Sequence, residues 1–129
     1  MSELVLIVDD NERNLRLARD VLRFAGLRTV EATTAEDGIR VAGELLPDVI
    51  LMDVRLPDVD GPAALVRLRA EPRTAAIPVV AVTSSAMMGD RERLLAAGFD
   101  GYLEKPINVR EFADQVRAYC RSSDRETPA

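Results

Sequence analysis

Residues 49–52 read Val-Ile-Leu-Met and stop abruptly at Asp53. A bare apolar run with no polar alternation is the pattern of a strand covered on both faces, and such strands belong to parallel sheets flanked by helices. The same pattern recurs at 4–8, ending on Asp9 and Asp10, and at 79–82, ending on Thr83, Ser84 and Ser85. Shorter or weaker strand patterns occupy 28–32 and 101–103, the latter running into Glu104, Lys105 and Pro106. Several covered strands therefore surface on a group capable of chemistry.

Between these runs the apolar spacing becomes helical. Behind Asn11, a capping residue, Leu15, Ala18, Val21, Leu22 and Ala25 share one face, and Gly26 supplies the stop. Thr34 with Asp37 three residues later resembles a capping box; Ile39, Ala42 and Leu46 follow on one face, and Pro47 ends that helix. Asp58 and Asp60, set between Pro57 and Gly61, mark a turn-rich loop after Asp53, and Pro62 opens a short third helix carrying Leu65 and Leu68. A fourth helix is predicted over 87–97, stopped by Gly98. Asn108 and Glu111 cap a fifth, with Val109, Phe112, Ala113, Val116 and Cys120 along its buried side. Strict alternation of strand and helix predicts an α/β fold with right-handed crossovers and helices on both faces. We expect a flavodoxin-like (βα)5 three-layer sandwich whose parallel five-stranded sheet has the order 2-1-3-4-5. One domain covers 1–121, and 122–129, without apolar periodicity, reads as a disordered tail.

Composition narrows the chemistry. With no histidine, the usual zinc sets and the Ser/His and Cys/His pairs are excluded, and the single Cys120 excludes an internal disulfide. A net charge of −5, spread without blocks of one sign, disfavours general binding to nucleic acid or anionic membrane. The apolar runs of about five residues fall far short of the roughly 20 that span a bilayer, and the start of the chain lacks a signal-peptide pattern. A cytoplasmic location is the resulting expectation.

In the expected strand order, strands 1 and 3 are neighbours about 4.8 Å apart, so Asp9, Asp10 and Asp53 converge beyond their carboxyl ends. Three carboxylates in one crevice repel, and a divalent cation relieves the conflict; an oxygen-only donor set favours Mg2+. Asp53 is then available as a nucleophile toward phosphorus, with a hydroxyl from Thr83 and a cation from Lys105 at neighbouring strand ends. Each residue also has a plainer reading. Strand-terminal Asp and Thr often close turns, an isolated Lys105 is a solvated surface lysine, and Tyr102 and the Met87-Met88 pair read as packing. The coincidence of all these groups on one sheet edge favours a site.

Taken together, Asp9-Asp10, the spacing from Asp53 through Pro57 to Gly61, Thr83-Ser84 and the run from Tyr102 to Pro106 resemble the receiver domain of two-component response regulators (CheY-like). Within that family the chain is most similar to stand-alone regulators of the DivK type, through ILMD, IPVVAVTS, GDRER and KPI. The resemblance implies a phosphoacceptor at Asp53, supplied by a sensor histidine kinase or a histidine phosphotransfer protein. It implies Mg2+ held by Asp10, Asp53 and the Arg55 carbonyl, with Asp9 acting largely through metal-bound water. Thr83, Lys105 and backbone N–H groups near Val54 and Ser84 would contact phosphoryl oxygens, and the Lys105–Pro106 bond is expected to be cis. Thr83 and Tyr102 would form the switch, remodelling a protein-binding face on the fourth helix, fifth strand and fifth helix. The Arg55 guanidinium is expected at the site mouth, toward phosphate or Asp58, and Phe99 stands where many relatives carry a small residue. With no output domain following, direct nucleic-acid binding is not expected. Two other readings stay open: a Mg2+-dependent phosphatase with an aspartyl intermediate, and a receiver-like scaffold that acts without phosphorylation.

Overall fold

The computed structural model describes residues 3–83 and 90–120. Its elements alternate along the chain: β1 (Leu4–Val8), α1 (Glu12–Phe24), β2 (Arg28–Ala32), α2 (Ala35–Leu45), β3 (Val49–Asp53), α3 (Gly61–Ala70), β4 (Val79–Thr83), α4 (Asp90–Ala96), β5 (Gly101–Glu104) and α5 (Phe112–Tyr119). All strand pairs are parallel, in the order β2-β1-β3-β4-β5. The flavodoxin-like sandwich expected from the alternation is the one observed.

The two-residue period of a strand divides the bare apolar runs between two cores. Leu6, Val8, Ile50, Met52, Val79 and Ala81 face α2, α3 and α4, whereas Val5, Ile7, Val49, Leu51, Val80 and Val82 face α1 and α5. Every residue of β3 and β4 is buried, Asp53 and Thr83 included. Burying one large aliphatic side chain is worth roughly 1.5–3 kcal/mol, so packing on both faces holds these central strands firmly in place. Their carboxyl ends are correspondingly well defined.

Asn11 accepts from the Asn14 N–H at 3.1 Å and Thr34 from the Asp37 N–H at 3.1 Å, as the capping patterns anticipate. Gly26 and Gly98 take the positive φ that stops α1 and α4. Three local expectations are revised. Asn108 does not open α5; its side chain accepts from the N–H groups of Arg110 and Glu111 at 3.0 and 3.3 Å and closes a turn before it. That local bond competes with helix, so α5 starts at Phe112 and Val109 is left 57% exposed. Leu46 does not line the face of α2: preceding Pro47, it is disfavoured in helical geometry and ends the helix at φ 49°, 40% exposed. Phe99 is accommodated in the core on the α4 side of the sheet. Met87, Met88, Ser84, Ser85 and the 122–129 segment lie outside the described residues.

Candidate phosphoryl site

The sheet register delivers the acidic residues to one place. Val8 pairs with Met52, so Asp9 leaves β1 one step from Asp53 at the end of β3. Asp53 in turn pairs with Val82, the residue before Thr83, and Thr83 pairs with Glu104, the residue before Lys105. The Lys105 N–H donates to the Thr83 carbonyl at 2.8 Å, and the Lys105–Pro106 bond is cis. Four strand ends thus share one rim.

At that rim the Lys105 ammonium lies 2.8 Å from Asp9 Oδ2 and 3.2 Å from Asp53 Oδ2. The remaining oxygens are also engaged: Asp9 Oδ1 accepts the Asn11 N–H at 2.9 Å, and Asp53 Oδ1 accepts the Arg55 N–H at 3.0 Å. Asp9, Asp53 and Thr83 are buried, while Asp10 reaches the solvent side of the group. Among the described residues Asp9, Asp10 and Asp53 form a cluster in which each offers an oxygen within 4.8 Å of the others. An all-carboxylate cluster with one exposed member, open to incoming water, suits a hard cation that keeps part of its hydration shell.

Burial raises the Asp53 pKa above the ordinary aspartate value; the Arg55 N–H and the Lys105 charge pull it down without cancelling the effect, and Asp9 adds to the rise. For Lys105, burial disfavours the ammonium, yet the hydrogen bonds and charges of Asp9 and Asp53 outweigh it and leave the pKa raised. The two shifts describe a lysine clamped between carboxylates, one of which is costly to keep ionised. A stability consequence follows for the metal-free protein. Because the folded pKa of Asp53 lies above its unfolded value, wild-type stability falls as pH rises through that raised value. Asp53→Asn escapes the loss, so thermal melts at neutral pH should place the variant a few degrees above wild type, with the gap closing as acid protonates Asp53. A variant that melts below wild type at neutral pH would contradict this electrostatic description.

The remaining residues singled out by the sequence have these positions. The Val54 N–H donates to the Val82 carbonyl at 3.2 Å, continuing the sheet one residue past β3. Tyr102 is half-buried on β5, with its hydroxyl 3.3 Å from Glu104 Oε2. It borders a groove of about 790 Å³ between α4 and α5, which Arg91, Leu95, Pro106, Gln115 and Tyr119 also line. The Arg55 side chain is exposed, but Asp58 is not its partner: the Asp58 carboxylate accepts the N–H groups of Ala35 and Glu36 at 2.9 and 3.0 Å. The resemblance implies a role for Arg55 through its carbonyl and leaves out its N–H, which is the group that holds Asp53. The signal that could have found it is the turn-closing habit of a strand-terminal Asp, whose side chain accepts the N–H two residues on.

This fold and site define a receiver domain, and the chain belongs to that family: residues 5–117 match the response regulator receiver domain. Among curated relatives, the polar-differentiation response regulator DivK of Brucella ovis is 39% identical over 119 residues, covering 92% of this chain and 97% of that protein. Among solved structures, the receiver domain of sensor histidine kinase PA1611 from Pseudomonas aeruginosa PAO1 is 34% identical with a TM-score of 0.83, covering 92% of this chain and 98% of that one. It carries a magnesium ion coordinated in its active-site cleft. A CheY-like receiver domain protein from Methanospirillum hungatei JF-1 is 27% identical with a TM-score of 0.83, over 98% of this chain and 99% of that one. The chain is thus a DivK-like receiver domain of two-component signalling. Among the described residues no helix is long and apolar enough to cross a membrane.

Proposed function

We propose that this protein works in the cytoplasm as a single-domain response regulator, taking a phosphoryl group onto Asp53 from a phosphohistidine on a sensor histidine kinase or phosphotransfer protein. The observation that carries the reading is the buried Asp53 carboxylate, fixed on one oxygen by the Arg55 N–H and flanked by Lys105, Asp9 and Asp10. In the transfer an Asp53 oxygen forms a bond to phosphorus while the phosphorus–nitrogen bond breaks, its electron pair leaving with the donor imidazole. Phosphoryl transfer asks for alignment and charge neutralisation more than for proton transfer, which suits a chain without histidine. Asp10, Asp53 and the Arg55 carbonyl would hold Mg2+, with Asp9 acting through bound water. The ion supplies positive charge against the phosphoryl oxygens.

The chain's own groups do the rest. Lys105 gives up its bond to Asp53 for a phosphoryl oxygen, Thr83 donates its hydroxyl, and the Ser84 N–H contacts a further oxygen, joined by the Val54 N–H once it turns from the Val82 carbonyl. A phosphoryl group adds about 1.5 to 2 negative charges and three strong acceptors, enough to draw Thr83 and Lys105 inward. Tyr102 then rotates toward the space Thr83 leaves, altering the groove between α4 and α5 where a downstream protein would dock. The occupied state is favoured only by as much as these contacts differ between the two forms. Asp10→Ala should weaken Mg2+ binding by about tenfold or more in a calorimetric titration, because a charged ligand is lost; unchanged affinity would remove Asp10 from the metal site.

Incubation with acetyl phosphate and Mg2+, followed by intact-mass measurement, tests the whole reading. One adduct with the mass of a single phosphoryl group is expected, and none when the metal is chelated. Sustained turnover of unrelated phosphomonoesters would instead mark a phosphatase. Absence of any adduct would favour a scaffold that acts without phosphorylation.

A further inference from the structure

The loop from β3 to α3, residues 54–60, carries the backbone that faces Asp53, and its two ends are held locally. The Gly61 N–H donates to the Val54 carbonyl at 3.0 Å, and Asp60 caps α3 by accepting the Ala63 N–H at 2.9 Å. Gly61 is needed for this closure, since a Cβ there would meet the Val54 Cα at 2.8 Å. Between these ends Leu56 is buried in the core on the α2 and α3 side. Among the described residues, the loop is hydrogen-bonded to more distant elements at two points: the Val54 N–H donates to the Val82 carbonyl of β4 at 3.2 Å, and the Asp58 side chain reaches α2.

Asp58 reaches α2. Its Oδ1 accepts the Ala35 N–H at 2.9 Å and its Oδ2 the Glu36 N–H at 3.0 Å, while Thr34 takes the Asp37 N–H and the Thr34 carbonyl takes the Gly38 N–H. A helix begins with N–H groups that have no partner inside it, and a capping side chain satisfies only one or two. Thr34 covers the third position, so the first two are completed from 22 and 23 residues away by a bidentate carboxylate. Carboxylate at a helix N-terminus is also favoured by the helix dipole. Both oxygens are used, which fixes the position and the orientation of the loop at Asp58.

We propose that Asp58 is a positioning residue for the phosphoryl site: by capping α2 from outside, it sets the register of loop 54–60 and so holds the Arg55 backbone against Asp53. The inference rests on the assignment of Asp53, Asp10 and the Arg55 carbonyl to Mg2+ given above. Arg55 is three residues from Asp58, with Leu56 and Pro57 between them. Leu56 is locked in the core and Pro57 has restricted φ, so the anchor at Asp58 is transmitted with little slack.

Mg2+ titration of the full-length protein, with Mg2+ as the only ligand, tests this alongside amide hydrogen exchange of the metal-free protein. Asp58→Ala should weaken Mg2+ about tenfold, the range seen when groups that orient a metal's ligands are removed. It should also speed exchange of the Ala35, Glu36 and Arg55 amides. Asp58→Asn keeps one of the two acceptor oxygens without the charge and should bind Mg2+ with an affinity between those of wild type and Asp58→Ala. Arg67→Ala breaks the neighbouring Arg67–Glu36 ion pair between α3 and α2 without touching the loop, and should leave Mg2+ affinity unchanged.

Equal losses in Asp58→Asn and Asp58→Ala would mean that charge at a distance, not loop position, matters, and would overturn the inference. An equal loss in Arg67→Ala would overturn it in favour of general loosening between α2 and α3. Unchanged affinity in Asp58→Ala would overturn it outright. Failure of wild type itself to bind Mg2+ would instead overturn the metal assignment on which the inference rests.

Discussion

Asp53→Asn is expected to take up no phosphoryl group from acetyl phosphate, at any Mg2+ concentration, while remaining folded. The amide keeps the size of the carboxylate and an oxygen that can accept the Arg55 N–H, so packing at the end of β3 is preserved. What disappears is the anionic oxygen that attacks phosphorus. Asp9 is no substitute, since its proposed place is beside the metal's bound water, with Oδ1 turned to the Asn11 N–H. Asp10 lies on the exposed side of the cluster, away from the buried position at the end of β3. Intact mass after incubation reads the result, and an adduct of undiminished yield in the variant would place the acceptor elsewhere.

Lys105→Ala should have the second large effect, on two properties at once. In the metal-free protein it leaves Asp9 and Asp53 side by side, largely buried and without their shared cation. Breaking a buried ion pair by removing one partner typically costs about 3 kcal/mol, and the slight exposure of Lys105 makes about 2 kcal/mol a fair expectation here. Without the ammonium the Asp53 pKa rises further, so the stability deficit should be largest at neutral pH and shrink on acidification as the carboxyl protonates. Added Mg2+ should restore part of the loss. Phosphoryl uptake should slow by about 100-fold or more, as when one preorganised partner of a developing charge is deleted. Denaturant unfolding with and without Mg2+, together with the time course of adduct formation, measures both. Equal stability of variant and wild type at neutral pH would mean that the lysine does not hold the two acids together.

The parts of this molecule legible in its sequence are those set by short-range pattern. The runs at 4–8, 49–52 and 79–82 are bare of polar residues because both faces are covered, and that pattern alone argues for a parallel sheet. Once the sheet order is expected, Asp9, Asp10, Asp53, Thr83 and Lys105 must meet, because each ends a strand on the same edge. The lysine bridge between Asp9 and Asp53 was not legible, since the direction of a long flexible side chain follows from the charges it finds after folding.

Asp58 illustrates the deeper limit of local pattern. Read in sequence, it is one of two acids in a turn, and its partners at Ala35 and Glu36 belong to a helix formed much earlier in the chain. The opposite error occurred at Asn108, where a familiar cap pattern suggested a helix start and the same side chain instead closed a turn. Capping residues satisfy whichever N–H groups the tertiary structure leaves nearest, so their partners are decided by the fold.

The most direct measurement is to locate the acyl phosphate itself. Borohydride reduces an aspartyl phosphate to the side-chain alcohol, releasing phosphate and converting the acceptor to homoserine. After incubation with acetyl phosphate and Mg2+, reduction and peptide mass mapping should find homoserine at position 53 and at no other aspartate. Homoserine at Asp9 or Asp10, or an adduct that resists reduction, would contradict the assignment of Asp53 as the group that captures phosphorus.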